Sequence, residues 1–318
     1  MLTLLLIAAG LPEGTSRVDF FGYEDCVALE NETTRVVLCH QAGGRVLEYA
    51  LNGENAIYLN PKAAGSRPGD ERVDMTGGRF DIGPELMVPK RPTLWSGAWT
   101  AEITGPRTAV LTSQKDDATG VRLTRTFKLN ADSSRLDVTQ TIRNVSDAAK
   151  EYCHWSRTFA VWQGVVVMPL SDHSKMPNGY VLYETGSLIE GRPEDPNVRR
   201  RDGFLEVLGP PRRPKLGMDS REGWFSYLAP NDLLFTKSYA VDPDVARNEL
   251  AGLTISIWYP DGPMVELEPI GPRQRIEPGG EASFTEVWHL SAYDFPEDRR
   301  PDLAAVAEEA ERARSVSE

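Results

Sequence analysis

Two glutamates two residues apart, Glu266 and Glu268, and two mid-chain histidines, His154 and His173, are the residues best equipped to move protons. Side chains alternate along an extended strand, so Glu266 and Glu268 share a face with Met264 while Val265 and Leu267 take the other. A carboxylate base and an imidazole acid, each tuned toward neutral pH by its surroundings, suffice for general acid–base chemistry. Such a pair calls for no metal and no organic cofactor, and no cysteine–histidine spacing suggests a zinc site. On a strand through Glu151–Phe159, Tyr152, His154, Ser156 and Thr158 lie opposite Cys153, Trp155, Arg157 and Phe159. His173 and Lys175 belong to a compact polar loop, Ser171–Lys175. The run from Gly77 to Glu85 places Arg79, Asp81 and Glu85 among glycines that let backbone approach a ligand.

The elements that must position these groups read as β-strands. Met264–Leu290 reads as two strands joined through Pro278-Gly279-Gly280, a late hairpin or meander with Phe284, Glu286 and Trp288 on one face. Upstream, Asp25–Asn31, Thr33–His40 and Gly44–Leu51 are short strands, the last closed by an Asn52-Gly53 turn. Thr100–Gly105, Thr108–Gln114, Gly120–Asn130 and Ser134–Asn144 follow in series, then Val165–Leu170, Gly223–Ala229, Asp232–Ala240 and Leu253–Tyr259. Lys237 and Tyr239 share a face with Phe235, an edge-strand composition. Pro61–Trp99 lacks periodicity and reads as a functional or solvated segment. Glu184–Lys215 is polar and proline-rich, and its Arg199-Arg200-Arg201 run reads as a solvated loop paired with local acids. Leu303, Val306, Ala307 and Ala310 fall at helical spacing within one amphipathic helix over Asp302–Arg314. Strands at regular spacing without intervening helices predict antiparallel sheets packed face to face, and no glycine-rich strand-to-helix turn supports a nucleotide fold.

The 318 residues suffice for one large β domain, divided here into a lead-in over 1–16, a body over 17–295 and a tail over 296–318. A formal charge of −12 argues against a nucleic-acid partner and against attachment to a membrane surface. Cys26, Cys39 and Cys153 read as buried thiols, with Cys26 and Cys39 able to pair in an oxidising compartment. Met1–Gly10 is apolar but too short to span a bilayer, and is expected to be a secretory signal or a lead-in strand. The first option places the protein in the periplasm or outside the cell, the second in the cytoplasm.

The Leu267-Glu268 pair, the later Pro-Gly turn and the aromatic last strand together resemble the C-terminal part of aldose 1-epimerases, the galactose mutarotase-like superfamily. GGRVLEYALNGENAIYLNP, from Gly43 to Pro61, likewise resembles the opening of that family's sandwich. The resemblance, to a divergent bacterial member, implies an all-β supersandwich of antiparallel sheets with a C-terminal helix. It implies Glu268 as base, His154 and His173 in the sugar-binding and acid roles, and sugar contacts from Arg79 and Asp81. The residues themselves leave Glu266 open as an alternative base and add Glu85, Trp155, Arg157, Lys175 and Glu266 as candidate substrate-binding groups. The sequence departs from the family in carrying Cys153-His154-Trp155 where an asparagine–histidine pair is usual. The expected partner is a small sugar or oligosaccharide, whose apolar side Trp95, Trp155 or Trp162 could cover. Three functions stay open at this point: an aldose epimerase, a non-catalytic carbohydrate-binding protein, and a polysaccharide lyase or glycosidase. The arginine run could favour an acidic sugar if it lies near the site.

Overall fold

The structure is a computed structural model that describes residues 10–70, 75–184, 189–245, 249 and 252–315. The apolar start, Met1–Gly10, falls almost wholly outside the described residues.

Among the described residues, two antiparallel sheets hold all the named strands. The first runs from edge to edge through Thr15–Phe20, Tyr23–Glu30, Thr34–Cys39, Arg45–Leu51, Gly78–Gly83, Lys150–Val161, Met264–Ile276, Ile255–Trp258, Lys215–Met218 and Val181–Tyr183, with Glu54–Asn55 against Arg45–Leu51. The second runs through Val198–Arg201, Phe204–Val207, Val165–Pro169, Trp224–Ala229, Leu233–Tyr239, Glu281–Ala292, Leu136–Asn144, Val121–Leu129, Thr108–Ser113 and Trp99–Gly105. Their facing sides close on one apolar core that includes Val46, Phe80, Phe127, Val138, Leu267, Phe235 and Trp288. The helix Leu303–Ser315 lies on the outside of the second sheet, where Leu303, Val306 and Ala310 meet Val165, Val167, Trp224 and Leu234. Asp302 caps it through Oδ1, which accepts from the Ala304 and Ala305 amides at 3.0 and 3.1 Å.

Four local readings are corrected. Met264–Ile276 and Glu281–Ala292 do not form a hairpin. The first pairs with Lys150–Val161 and Ile255–Trp258, the second with Leu136–Asn144 and Leu233–Tyr239, so the turn between them changes sheets. The segment read as irregular between Pro61 and Trp99 contains a central strand, Gly78–Gly83, buried along its whole length, and a short helix, Pro92–Trp95. The arginine run is an edge strand paired with Phe204–Val207, and Arg199 and Arg201 both grip the buried carboxylate of Glu206, with closest contacts of 2.7 and 3.1 Å. Leu233–Tyr239 is central rather than an edge, because it lies between Trp224–Ala229 and Glu281–Ala292.

That last correction buries a lysine in the core. Lys237 Nζ donates to Thr158 Oγ1 at 2.7 Å, pairs with Glu286 Oε2 at 3.2 Å and sits 4.4 Å from the Trp288 ring centre. Glu286 also accepts from Gln140 Nε2 at 2.6 Å and Trp288 Nε1 at 2.9 Å, so each end of the pair is held by further polar groups. Burial pulls the Lys237 ammonium down to about 8, against the opposing pull of Glu286.

Candidate functional site

The face of the first sheet turned away from the second carries a dense polar cluster. Strand register sets it out. Arg157 lies opposite Arg79 and Trp155 opposite Asp81, on the paired strands Lys150–Val161 and Gly78–Gly83. Across the next two pairings, Glu268 lies opposite Ser256 and Glu266 opposite Trp258, and Trp258 in turn lies opposite Lys215. Five neighbouring strands thus deliver one surface.

Arg157 is its hub. Its Nε and Nη2 donate to the two oxygens of Glu266 at 2.7 and 3.1 Å, its Nε is 3.2 Å from Glu268 Oε1, and its Nη1 is 3.8 Å from Asp81. The guanidinium lies 5.0 Å from the Trp95 ring centre and 4.8 Å from that of Trp155. Arg79 stacks on Trp95 at 4.4 Å and donates to the Trp95 carbonyl. Lys215 Nζ lies 5.2 Å from the Trp155 ring centre and pairs with Glu85 at 2.8 Å. Cations and rings therefore alternate across the surface, with Arg79, Arg157 and Lys215 each set against an aromatic face and Arg157 and Lys215 also paired with carboxylates.

Glu268 is fully buried, and its two oxygens are held differently. Oε2 accepts from Ser256 Oγ at 2.7 Å, and Ser256 Oγ is in turn 2.9 Å from the Tyr183 hydroxyl. Oε1 has no hydrogen-bond partner; the nearby Arg157 Nε points instead at Glu266. Burial and the Glu266 carboxylate push the Glu268 carboxyl up to about 8, against the pull of Lys215, Arg157 and Ser256. Glu249 is raised to about 7 by burial, and its Oε2 accepts the Glu85 amide at 2.8 Å. A side chain at Gly83 would meet that oxygen at 2.7 Å, so only glycine leaves room for Glu249 there.

These shifts have a measurable consequence. Glu268 holds a proton in the folded state up to about 8 that the unfolded chain releases near 4.5, so its contribution to stability is complete below 4.5 and is lost as pH rises toward 8. Glu268→Gln is expected to remove a falling component from denaturant-measured stability between pH 5 and 8, so that the variant's profile rises relative to the wild type. The falling contribution of Glu249 and the rising contributions of His154 and His289, whose imidazoles burial pushes down, remain in both. A variant whose pH profile overlays the wild type would show that Glu268 ionises freely.

Seven of the groups singled out in the sequence, Arg79, Asp81, Glu85, Trp155, Arg157, Glu266 and Glu268, come together here. The histidines do not. His154 points through the opposite face into the core, where it stacks on Phe80 at 5.7 Å and its Nε2 donates to the Ala282 carbonyl at 3.0 Å. Burial pushes its imidazole down to about 4, so it is a neutral core residue and the expected pairing with Glu268 is corrected. His173 and Lys175 are exposed and line a separate cavity of about 330 Å³ with Asp219, Arg221 and Thr254. Trp162 packs against the main core. Sequence reasoning missed Arg91, Ser256, Lys215, Tyr183, Glu249 and the half-buried Trp258. Lys215 and Tyr183 lie on strands of four and three residues, too short to show a period.

Compared with solved structures, the chain matches a galactose mutarotase-like protein from Lactobacillus casei with a TM-score of 0.59, over 84% of this chain and 100% of that one, at 10% identity. The chain has the galactose mutarotase-like fold. A protein from Synechocystis sp. PCC 6803 matches it with a TM-score of 0.58, 15% identity and coverage of 87% and 99%. A protein from Escherichia coli K12 named as a candidate aldose 1-epimerase matches with a TM-score of 0.57, 11% identity and coverage of 83% and 98%. No protein-family model and no curated protein matches the sequence. The shared fold accounts for the two packed antiparallel sheets. Its identity levels leave the chemistry to be argued from the residues themselves.

Proposed function

We propose that this chain is a carbohydrate-binding protein that takes a hexose-type sugar at the Arg157, Glu266 and Glu268 cluster. One observation carries the reading: Trp155 Nε1, a donor, and Glu268 Oε1, an oxygen that accepts when the carboxyl is ionised and can donate when it is protonated, are both buried on this surface without a hydrogen-bond partner. A sugar hydroxyl both donates and accepts, so one class of ligand serves both atoms. Trp95 and Trp258, half-buried on the same surface, offer apolar faces for a pyranose ring. The mutarotase-like neighbours support a small sugar as partner.

A second reading, aldose 1-epimerase-like proton transfer, is favoured by the Glu268 carboxyl titrating near neutrality. Among the described residues no imidazole faces that carboxyl, so this reading needs a different acid, and Lys215 and Tyr183 are the titratable donors nearest to hand. Calorimetric titration with glucose and galactose, together with NMR saturation transfer between their anomers, separates the two. Binding with anomer exchange no faster than in buffer is expected. Accelerated exchange that Glu268→Gln abolishes would replace the binding reading with the enzymatic one, and absence of binding by any hexose would remove both.

A further inference from the structure

The groups that would meet a sugar are sealed. Asp81, Lys215, Glu249 and Trp155 are each 3% exposed or less, and Glu266 and Glu268 are wholly buried. What covers one side of them is the segment from Pro84 to Arg91, which follows the central strand Gly78–Gly83 and precedes the short helix Pro92–Trp95.

Its attachments differ from those of the sheets. The Met87 and Val88 amides both donate to the Pro84 carbonyl, and Arg91 Nη1 donates to that of Pro89, so the segment is bonded largely to itself. It is tied to the site by polar groups. Glu85 reaches Lys215 through its carboxylate at 2.8 Å and Glu249 through its amide at 2.8 Å, and Arg91 forks onto both oxygens of Asp81 at 2.5 and 2.6 Å. Val88 is the segment's buried apolar anchor, whereas Leu86 and Met87 are 62% and 81% exposed. Beyond Arg91, Leu94 is fully buried in the main core and fixes the far end. Lifting the segment would thus exchange ion pairs for separately hydrated charges and uncover one valine, without breaking any strand pairing.

We infer that Pro84–Arg91 is a strap that lifts to admit the ligand and closes over it, so that the site takes a small free sugar enclosed whole rather than an internal unit of a polymer. The sugar chemistry rests on the function proposed above; the strap does not. A polymer chain needs an open groove at both ends of the bound unit, and a strap seated on Asp81, Lys215 and Glu249 leaves no such passage on its side of the site.

Hydrogen–deuterium exchange of the full chain tests both parts. In the wild type the amides of 84–91 are expected to exchange by local opening, well before those of Gly78–Gly83 and Lys150–Val161. Arg91→Met, or Glu85→Gln should the first fold poorly, is expected to speed exchange in this segment about tenfold or more without changing those strands. Saturating glucose or galactose is expected to slow it severalfold, and soluble β-1,4-glucan or β-1,4-galactan to leave it unchanged. Exchange in 84–91 only with global unfolding would make the segment a fixed wall and overturn the strap. Equal protection by polymer and monosaccharide would overturn the enclosed small ligand. Local opening that no saccharide alters would leave the strap standing and remove the sugar reading instead.

Discussion

Lys237→Met is expected to destabilise the chain by about 3–5 kcal/mol at pH 7, the loss typical of removing one partner from a buried ion pair. Glu286 would keep its bonds from Gln140 and Trp288 but would face a hydrocarbon where an ammonium stood, while Thr158 Oγ1 would lose its donor. The damage should come from the stranded charge rather than from lost attraction, so the double variant Lys237→Met with Glu286→Gln is expected to recover a large part of it. Urea denaturation of the two single variants and the double variant closes the cycle. Additive losses would mean that the two side chains stabilise the core independently.

Arg157→Met is the second large effect. Its guanidinium lies between Glu266 and Glu268, both wholly buried, so its removal leaves two carboxyl groups without the cation they share. A loss of about 3–5 kcal/mol is again expected at pH 8. It should be smaller at pH 5, because the raised Glu268 carboxyl is then fully protonated and the repulsion between it and Glu266 is gone. Arg157→Lys keeps a charge but cannot fork onto Glu266 while lying between Trp95 and Trp155, so it should recover only part of the loss. Sugar binding should vanish in the methionine variant at either pH. Equal destabilisation at pH 5 and 8 would show that Arg157 acts through packing rather than charge.

The sequence is most informative where one face of a strand is wet. Val121–Leu129 and Leu136–Asn144 alternate cleanly, and their observed limits lie within two residues of those read from the pattern. Gly78–Gly83 escaped because both its faces are covered; a strand with a glycine at each end and no wet face shows no alternation to detect. The same cause misplaced His154. Alternation correctly grouped it with Ser156 and Thr158, away from Trp155 and Arg157, but both faces of that strand are buried and nothing local tells the inter-sheet side from the site side. Glu266 and Glu268 were legible as a pair of carboxylates on one side. Their arginine comes from a strand more than one hundred residues earlier, a pairing fixed by register across the sheet rather than by any nearby pattern.

Because the turn after Ile276 hands the chain from one sheet to the other, each sheet receives a late strand in its interior. Met264–Ile276 joins Lys150–Val161 to Ile255–Trp258, and Glu281–Ala292 joins Leu136–Asn144 to Leu233–Tyr239. Everything made earlier forms two half-sandwiches, one ending at Val161 and the other beginning at Val165, each with raw edges where the closing strands belong. During synthesis those edges stay unpaired until Met264–Ile276 and Glu281–Ala292 have both left the ribosome, so a chain cut before residue 264 is expected to expose them and to aggregate on refolding.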